Sequence, residues 1–128
     1  MHSQENYIGV VGAGTMGNGI AHVFAQSNYK VLLADLDQSI LDNAMKTISS
    51  NLKRQVKKEL ITQNQMNNSY DNITTSTNMD SLRNAFLVIE AASEDEIIKT
   101  NIFKNLDSIC APETILATNT SSISITKI

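Results

Sequence analysis

Apolar and polar positions along this chain follow two alternating rhythms. Short, almost unbroken apolar runs occur at Tyr7 to Val11, Lys30 to Ala34, Phe86 to Ala91 and Thr114 to Thr118, with a weaker one at Ile73 to Ser76. Runs of this length read as strands buried on both sides of a parallel sheet. Between them, apolar residues recur three and four positions apart, the period of a helix with one face turned inward. The spacing predicts a helix over 15–26, with Ile20, Ala21, Phe24 and Ala25 on one face and Asn28 at its end. A long helix is predicted over 38–61, capped by Asp37 and carrying Ile40, Leu41, Ala44, Ile48, Leu52, Val56 and Leu60 at helical spacing. Another is predicted over 94–108, with Ile98, Ile102, Phe103 and Leu106 inward. The stretch TQNQMNNSYDN, 62–72, is polar, Asn-rich and without period, and is expected to be an exposed loop. Ser122 to Ile128 reads as the start of one more helix.

Strands alternating with helices imply an α/β fold with a mainly parallel sheet and helices on both faces. A chain of 128 residues is expected to form one domain, 1–128, with a real hydrophobic core. Charge and composition mainly exclude. The net charge of -3 gives no reason to expect nucleic acid or an anionic membrane as a partner. No apolar run approaches the roughly 20 residues that span a bilayer. The polar start, MHSQENY, lacks the layout of a signal peptide. Cys110 is the single cysteine, so no internal disulfide can form, and a reducing cytoplasm is the expected location. No metal-ligand cluster stands out. His2 and His22 are expected to be structural or solvent-facing, and Cys110 a small packed residue.

The chemistry concentrates after the first strand. YIGVVGAGTMGN places Gly12, Gly14 and Gly17 in G-x-G-x-x-G spacing between a strand and a helix, the context in which that motif binds a dinucleotide. Gly12 permits the tight turn, Gly14 lets backbone approach a pyrophosphate, and Gly17 lets helix pack close on strand. The helix start then offers amide donors and a partial positive charge to the phosphates. Asp35 closes the second strand, 18 residues after Gly17, where a doubly wound Rossmann domain uses an acid on the adenosine ribose. The local sequence ADLDQ has no basic residue to meet a 2′-phosphate, which favours NAD over NADP.

The segments IGVVGAGTMGNGIA, VLLADLD, VIEAASED and ATNTSSISI together closely resemble the NAD-binding domain of the 3-hydroxyacyl-CoA dehydrogenases, especially the bacterial 3-hydroxybutyryl-CoA dehydrogenases. The resemblance runs from Tyr7 to Ile128; the glycine turn is shared with many dehydrogenases, whereas TNTSS combined with VIEA is much more specific. It implies that Gly12, Gly14 and Gly17 with Thr15 and Met16 hold the pyrophosphate, and that Asp35 holds the adenosine ribose. It implies that Glu94 and Lys99 lie near the nicotinamide half of NAD. Asn119 then lies beside substrate and nicotinamide, and Ser121 between the substrate's 3-hydroxyl and the cofactor. Oxidising a secondary alcohol needs a hydride acceptor and a base, and donors such as Asn and Ser stabilise charge developing on the oxygen. By their residue types alone, Asn119 and Ser121 could instead cap a following helix, Glu94 could be a first-turn acid, and Lys99 a solvated lysine.

Lys46, Lys53, Arg54, Lys57 and Lys58 put half of the chain's ten basic residues on one helix. They read as a solvated face or as an attractor for the phosphates of coenzyme A. The resemblance implies a lysine and a serine contacting coenzyme A on this helix; Lys58 keeps the lysine, and Asn51 stands in the serine's place. It implies oxidation of an L-3-hydroxyacyl-CoA, such as 3-hydroxybutyryl-CoA, within fatty acid metabolism. The family's general base is a histidine in an HFFNP-like segment beyond the serine motif, and a helical domain completes the pocket and a homodimer interface. The chain is therefore expected to be the amino-terminal part of an enzyme about twice as long or longer, able to bind NAD but not to turn over. Two alternatives remain open: a dehydrogenase acting on another hydroxy acid, against which TNTSS argues, and a non-enzymatic NAD-sensing domain.

Overall fold

A computed structural model describes residues 7–91, 96–110, 114–118 and 125–127. The strands are β1 (Tyr7–Val11), β2 (Lys30–Ala34), β3 (Ile73–Ser76), β4 (Leu87–Glu90), β5 (Ile115–Thr118) and β6 (Ile125–Lys127). The helices are α1 (Thr15–Gln26), α2 (Gln38–Lys57), α3 (Gln63–Asp71) and α4 (Glu96–Ile109), with a 3-10 turn at Met79–Leu82. The sheet order is β3-β2-β1-β4-β5-β6, parallel from β3 to β5 and antiparallel at β6. This is the doubly wound arrangement, with its switch point between β1 and β4.

Strand alternation divides the core in two. Ile8 and Val10 of β1 and Val31 and Leu33 of β2 face Ala21, Ala25, Leu41, Ala44, Ile48 and Leu52 of α1 and α2. Val11, Leu32, Ala34 and Val88 face the other way, onto Leu82, Leu106 and Cys110. Helices thus cover both faces, as the apolar runs imply. The Cys110 thiol is buried, donates to the Leu82 carbonyl at 3.6 Å, and is pushed above its ordinary pKa by that burial. It is the packed residue expected of it.

Helix ends follow the sequence reading at α1 and depart from it at α2. α1 closes at Asn28, whose φ of 73° is the left-handed conformation asparagine tolerates. The Tyr29 amide donates to the Phe24 carbonyl, and the two rings meet edge to face at 5.8 Å. That pairing is the hydrophobic contact that accompanies this type of helix end. α2 stops at Lys57 rather than 61, because Glu59 turns left-handed at φ 61° and the Leu60 amide bonds back to the Gln55 carbonyl. Leu60 continues the apolar period in sequence yet stands mostly exposed.

The expected loop 62–72 is instead the helix α3. Its start is a capping box: the Thr62 hydroxyl accepts from the Gln65 amide at 3.1 Å, and the Gln65 side chain accepts from the Thr62 amide at 2.8 Å. The chain end differs too: residues 125–127 pair with β5 as a strand and do not begin a helix. A seven-residue stretch meets the full cost of helix nucleation, whereas Ile125 and Thr126 are β-branched and the edge of β5 is available to them. Only an antiparallel return fits a connection as short as 119–124.

Among the described residues, no helix is long and apolar enough to cross a membrane. Two substitutions check this account. Thr62→Ala removes one half of the box and is expected to cost about 1 kcal/mol. Ile48→Ala, in the fully buried stripe of α2, should cost about 2–5 kcal/mol. Urea unfolding monitored by circular dichroism measures both.

Candidate functional site

The candidate site lies at the carboxyl ends of β1, β2 and β4, in the crevice that the switch in strand order opens. β1 ends in Val11, and the chain turns at once into α1. Gly12 makes that turn with φ 100°, and its amide donates to the Ala34 carbonyl at 2.7 Å. Gly17 sits in the first turn of α1 against the turn itself; a Cβ there would run into the Gly12 carbonyl oxygen, which is backbone and cannot give way. Gly14 is the N-cap, offers no side-chain cap, and has nothing within 4 Å of where its Cβ would stand. The first amides of a helix lack partners within it and carry the positive end of its dipole. Open space over an uncapped helix start is what an approaching phosphate needs. Thr15 and Met16 are exposed beside it.

Asp35 follows β2 and ties the two strand ends together. Its Oδ2 accepts from the Ala13 amide at 2.9 Å and its Oδ1 from the Asp37 amide at 3.1 Å. A carboxylate has about four acceptor positions, so both oxygens keep capacity for ribose hydroxyls. Asp37 caps α2 as expected, its Oδ1 accepting from the Ser39 hydroxyl at 2.7 Å and the Ser39 amide at 2.9 Å. These bonds hold the Asp37 carboxyl below the usual range.

A family model described as "3-hydroxyacyl-CoA dehydrogenase, NAD binding domain" matches residues 7–128. The chain belongs to that family. The 3-hydroxybutyryl-CoA dehydrogenase of Bradyrhizobium diazoefficiens is 44% identical over 121 residues, which are 94% of this chain and 41% of that protein. The 3-hydroxyadipyl-CoA dehydrogenase of Escherichia coli is 40% identical over 94% of this chain and 26% of its own length. In the solved structure of (S)-3-hydroxybutyryl-CoA dehydrogenase from Ralstonia eutropha, 93% of this chain superposes on 42% of that one, with TM-score 0.89 and 39% identity. The chain thus spans about two-fifths of the length of the 3-hydroxybutyryl-CoA dehydrogenases it matches.

Within this NAD-binding domain, the structure gathers Gly12, Gly14, Thr15, Met16, Gly17 and Asp35 at one crevice. Glu94, Asn119 and Ser121 lie outside the described residues, and Lys99 belongs to α4, with its side chain outside them. Asn51 and Lys58 are not at the crevice. They lie along α2, two turns apart; at 1.5 Å per residue they stand about 20 Å and 30 Å from the start of that helix. The Asn51 Oδ1 accepts from Arg54 Nη1 at 3.0 Å, and Lys58 is the exposed C-cap. His22 is packed between α1 and α2, within hydrogen-bond reach of the side-chain oxygens of Gln26 at 3.0 Å and Gln55 at 3.3 Å. That is the structural role expected of it; His2 lies outside the described residues.

Glu90, part of the quoted VIEA segment, was given no role by the sequence reading. Glu90 is wholly buried at the carboxyl end of β4, in register with Val11 and Thr118. A carboxyl there was signalled only by the charge that ends the otherwise apolar run LVIE.

One pair of substitutions separates folding from binding. Gly17→Ala should destabilise the domain by about 1–3 kcal/mol, since backbone must move, and should weaken NAD binding with it. Gly14→Ala should leave the unfolding midpoint within about 1 kcal/mol of wild type and still weaken NAD binding, because only the open space changes. Denaturant titration and NADH fluorescence read the two effects. The lowered carboxyl of Asp37 stabilises the fold above its unfolded pKa, about 4, and ceases to do so as pH falls through the lower folded value. The stability gap between wild type and Asp37→Ala should therefore be full at pH 7 and shrink below about pH 4. Urea midpoints across that range test it.

Proposed function

We propose that this chain is the amino-terminal, NAD-binding domain, 1–128, of a longer dehydrogenase that oxidises an L-3-hydroxyacyl-CoA, with 3-hydroxybutyryl-CoA as the substrate. The observation that carries the proposal is the pairing of an uncapped helix start with Asp35, joined through the Ala13 amide. The similarity of the whole matched stretch to 3-hydroxybutyryl-CoA dehydrogenases supports the substrate.

The residues present fit NAD. The amides at the head of α1, with Gly12, Gly14, Thr15, Met16 and Gly17 around them, hold the pyrophosphate. Asp35 accepts from the adenosine ribose hydroxyls, and its charge opposes a 2′-phosphate. NAD supplies the hydride acceptor. Glu94 and Lys99 act near its nicotinamide half, and Asn119 and Ser121 donate hydrogen bonds to the reacting oxygen as its charge changes. Asn51 and Lys58 meet the coenzyme A portion along α2. The base for the hydroxyl proton is, as the family resemblance implies, a histidine outside these 128 residues. The whole enzyme works in the cytoplasm, within fatty acid metabolism, as a homodimer formed outside this domain, without nucleic acid or membrane partners.

The 128-residue chain is expected to bind NADH, and Asp35→Ala to weaken it about 10- to 100-fold, the equivalent of one or two charge-assisted hydrogen bonds. Fluorescence titration gives both affinities. With NAD and 3-hydroxybutyryl-CoA the same chain should produce no NADH; measurable turnover at 340 nm would put the base inside it and overturn that part of the proposal.

A further inference from the structure

α2 carries two different polar flanks. Its buried stripe, Leu41, Ala44, Ile48 and Leu52, packs inward. At about 100° per residue, Asn51 and Lys58 lie on one side of that stripe and Lys46 and Lys53 on the other. The second flank forms one wall of a groove of about 670 Å³ between α2 and α3. Lys46, Ser49, Ser50 and Lys53 line it from α2, Tyr70 lines it from α3, and Asp42 closes one end. This volume is within the usual range of small-molecule sites.

The groove's chemistry is specific. Lys46 and Lys53 are exposed, and neither has an ion-pair or hydrogen-bond partner among the described residues. Seven residues place them about 10 Å apart along the helix axis, with the two serine hydroxyls between them. Lysine stems are long and flexible enough to reach a group lying between them, where the serine hydroxyls would supply further donors. Asp42 already accepts from Gln38 Nε2 at 3.0 Å, and it leaves the lining with a net positive charge. Tyr70 is 39% exposed, lines the groove, and its ring stacks on no other ring among the described residues, which leaves it available to a planar group. Neither the glycine turn nor the Asn51–Lys58 flank shares a residue with this groove.

We propose that the α2–α3 groove is a second ligand site, separate from the NAD crevice, that takes a nucleoside phosphate. Lys46 and Lys53 bracket its phosphates with Ser49 and Ser50 donating between them, and the base lies on Tyr70. The site does not depend on the proposed acyl-CoA chemistry: Lys46 and Lys53, read from the sequence only as part of a basic face, line the groove on the flank of α2 away from Asn51 and Lys58, the two residues that chemistry assigns to coenzyme A.

The test is ADP binding to the 128-residue chain held at saturating NAD, which blocks the crevice, by isothermal titration calorimetry. ADP is expected to bind one further site. The double variant Lys46→Ala/Lys53→Ala, changed only at exposed positions, should weaken ADP at least tenfold and leave NADH affinity unchanged. Tyr70→Leu should weaken ADP but not inorganic phosphate. No ADP binding once NAD is saturating, or equal ADP affinity in wild type and double variant, overturns the site. Equal losses for ADP and phosphate in Tyr70→Leu overturn the placement of the base. Unchanged NADH binding in the variants certifies that they are folded, and failure of NADH binding in wild type would count against the proposed cofactor reading rather than the groove.

Discussion

At Gly17 the backbone of α1 lies so close to the Gly12 carbonyl that no side-chain carbon fits between them. Much of the fold hangs on that approach. It sets the direction in which α1 leaves β1, and α1 in turn covers β1 and β2 and supports α2 and α3. With a bulkier residue there, α1 would tilt off the sheet, and Ala21 and Ala25 would lose their places in the core. The same approach aims the helix start at the switch-point crevice, so one steric requirement serves packing and, in the proposed reading, anion binding.

The α2–α3 arm follows from a different constraint. A 20-residue helix with one buried stripe necessarily presents most of its circumference to water. The left-handed Glu59 ends α2 abruptly, and the Thr62 capping box starts α3 within a few residues. The chain therefore doubles back, and a groove opens between the two helices on one flank of α2 while the other flank stays open. Concentrating basic residues on this arm in a chain of net charge -3 gives it a local field that the whole molecule lacks.

The parallel sheet was legible because strands buried on both faces leave unbroken apolar runs; β1 and β2 begin and end where those runs do, and the edge strand β3 where its weaker run does. At the candidate site, the spacing of the glycine turn and Asp35 was enough to anticipate that the fold brings them together. The end of α2 was not, since Leu60 keeps the apolar period while Glu59, a residue that rarely turns left-handed, breaks the helix. α3 shows no apolar period in the sequence, because it buries almost nothing. Its only buried residue is Ser69, and its signal was the Thr62–Gln65 spacing. The strand at 125–127 was invisible for a third reason: its partner, the free edge of β5, exists only once the sheet has formed.

Asp35 does two jobs with one carboxylate. Through the Ala13 amide it holds the glycine turn in shape, and the Gly12 amide bond to Ala34 reinforces it, so the turn is set by the protein's own bonds before any phosphate arrives. A site held in its binding geometry loses less freedom on binding. In the proposed reading, the same negative charge accepts from a ribose hydroxyl and opposes a 2′-phosphate. Cofactor preference and turn geometry are therefore not independent here. Replacing Asp35 by a neutral residue removes the repulsion toward a 2′-phosphate and, in the same step, the acceptor that anchors Ala13. Acceptance of NADP would then need a second change that restores an acceptor for that amide, because relief of repulsion does nothing for a turn that has lost its shape.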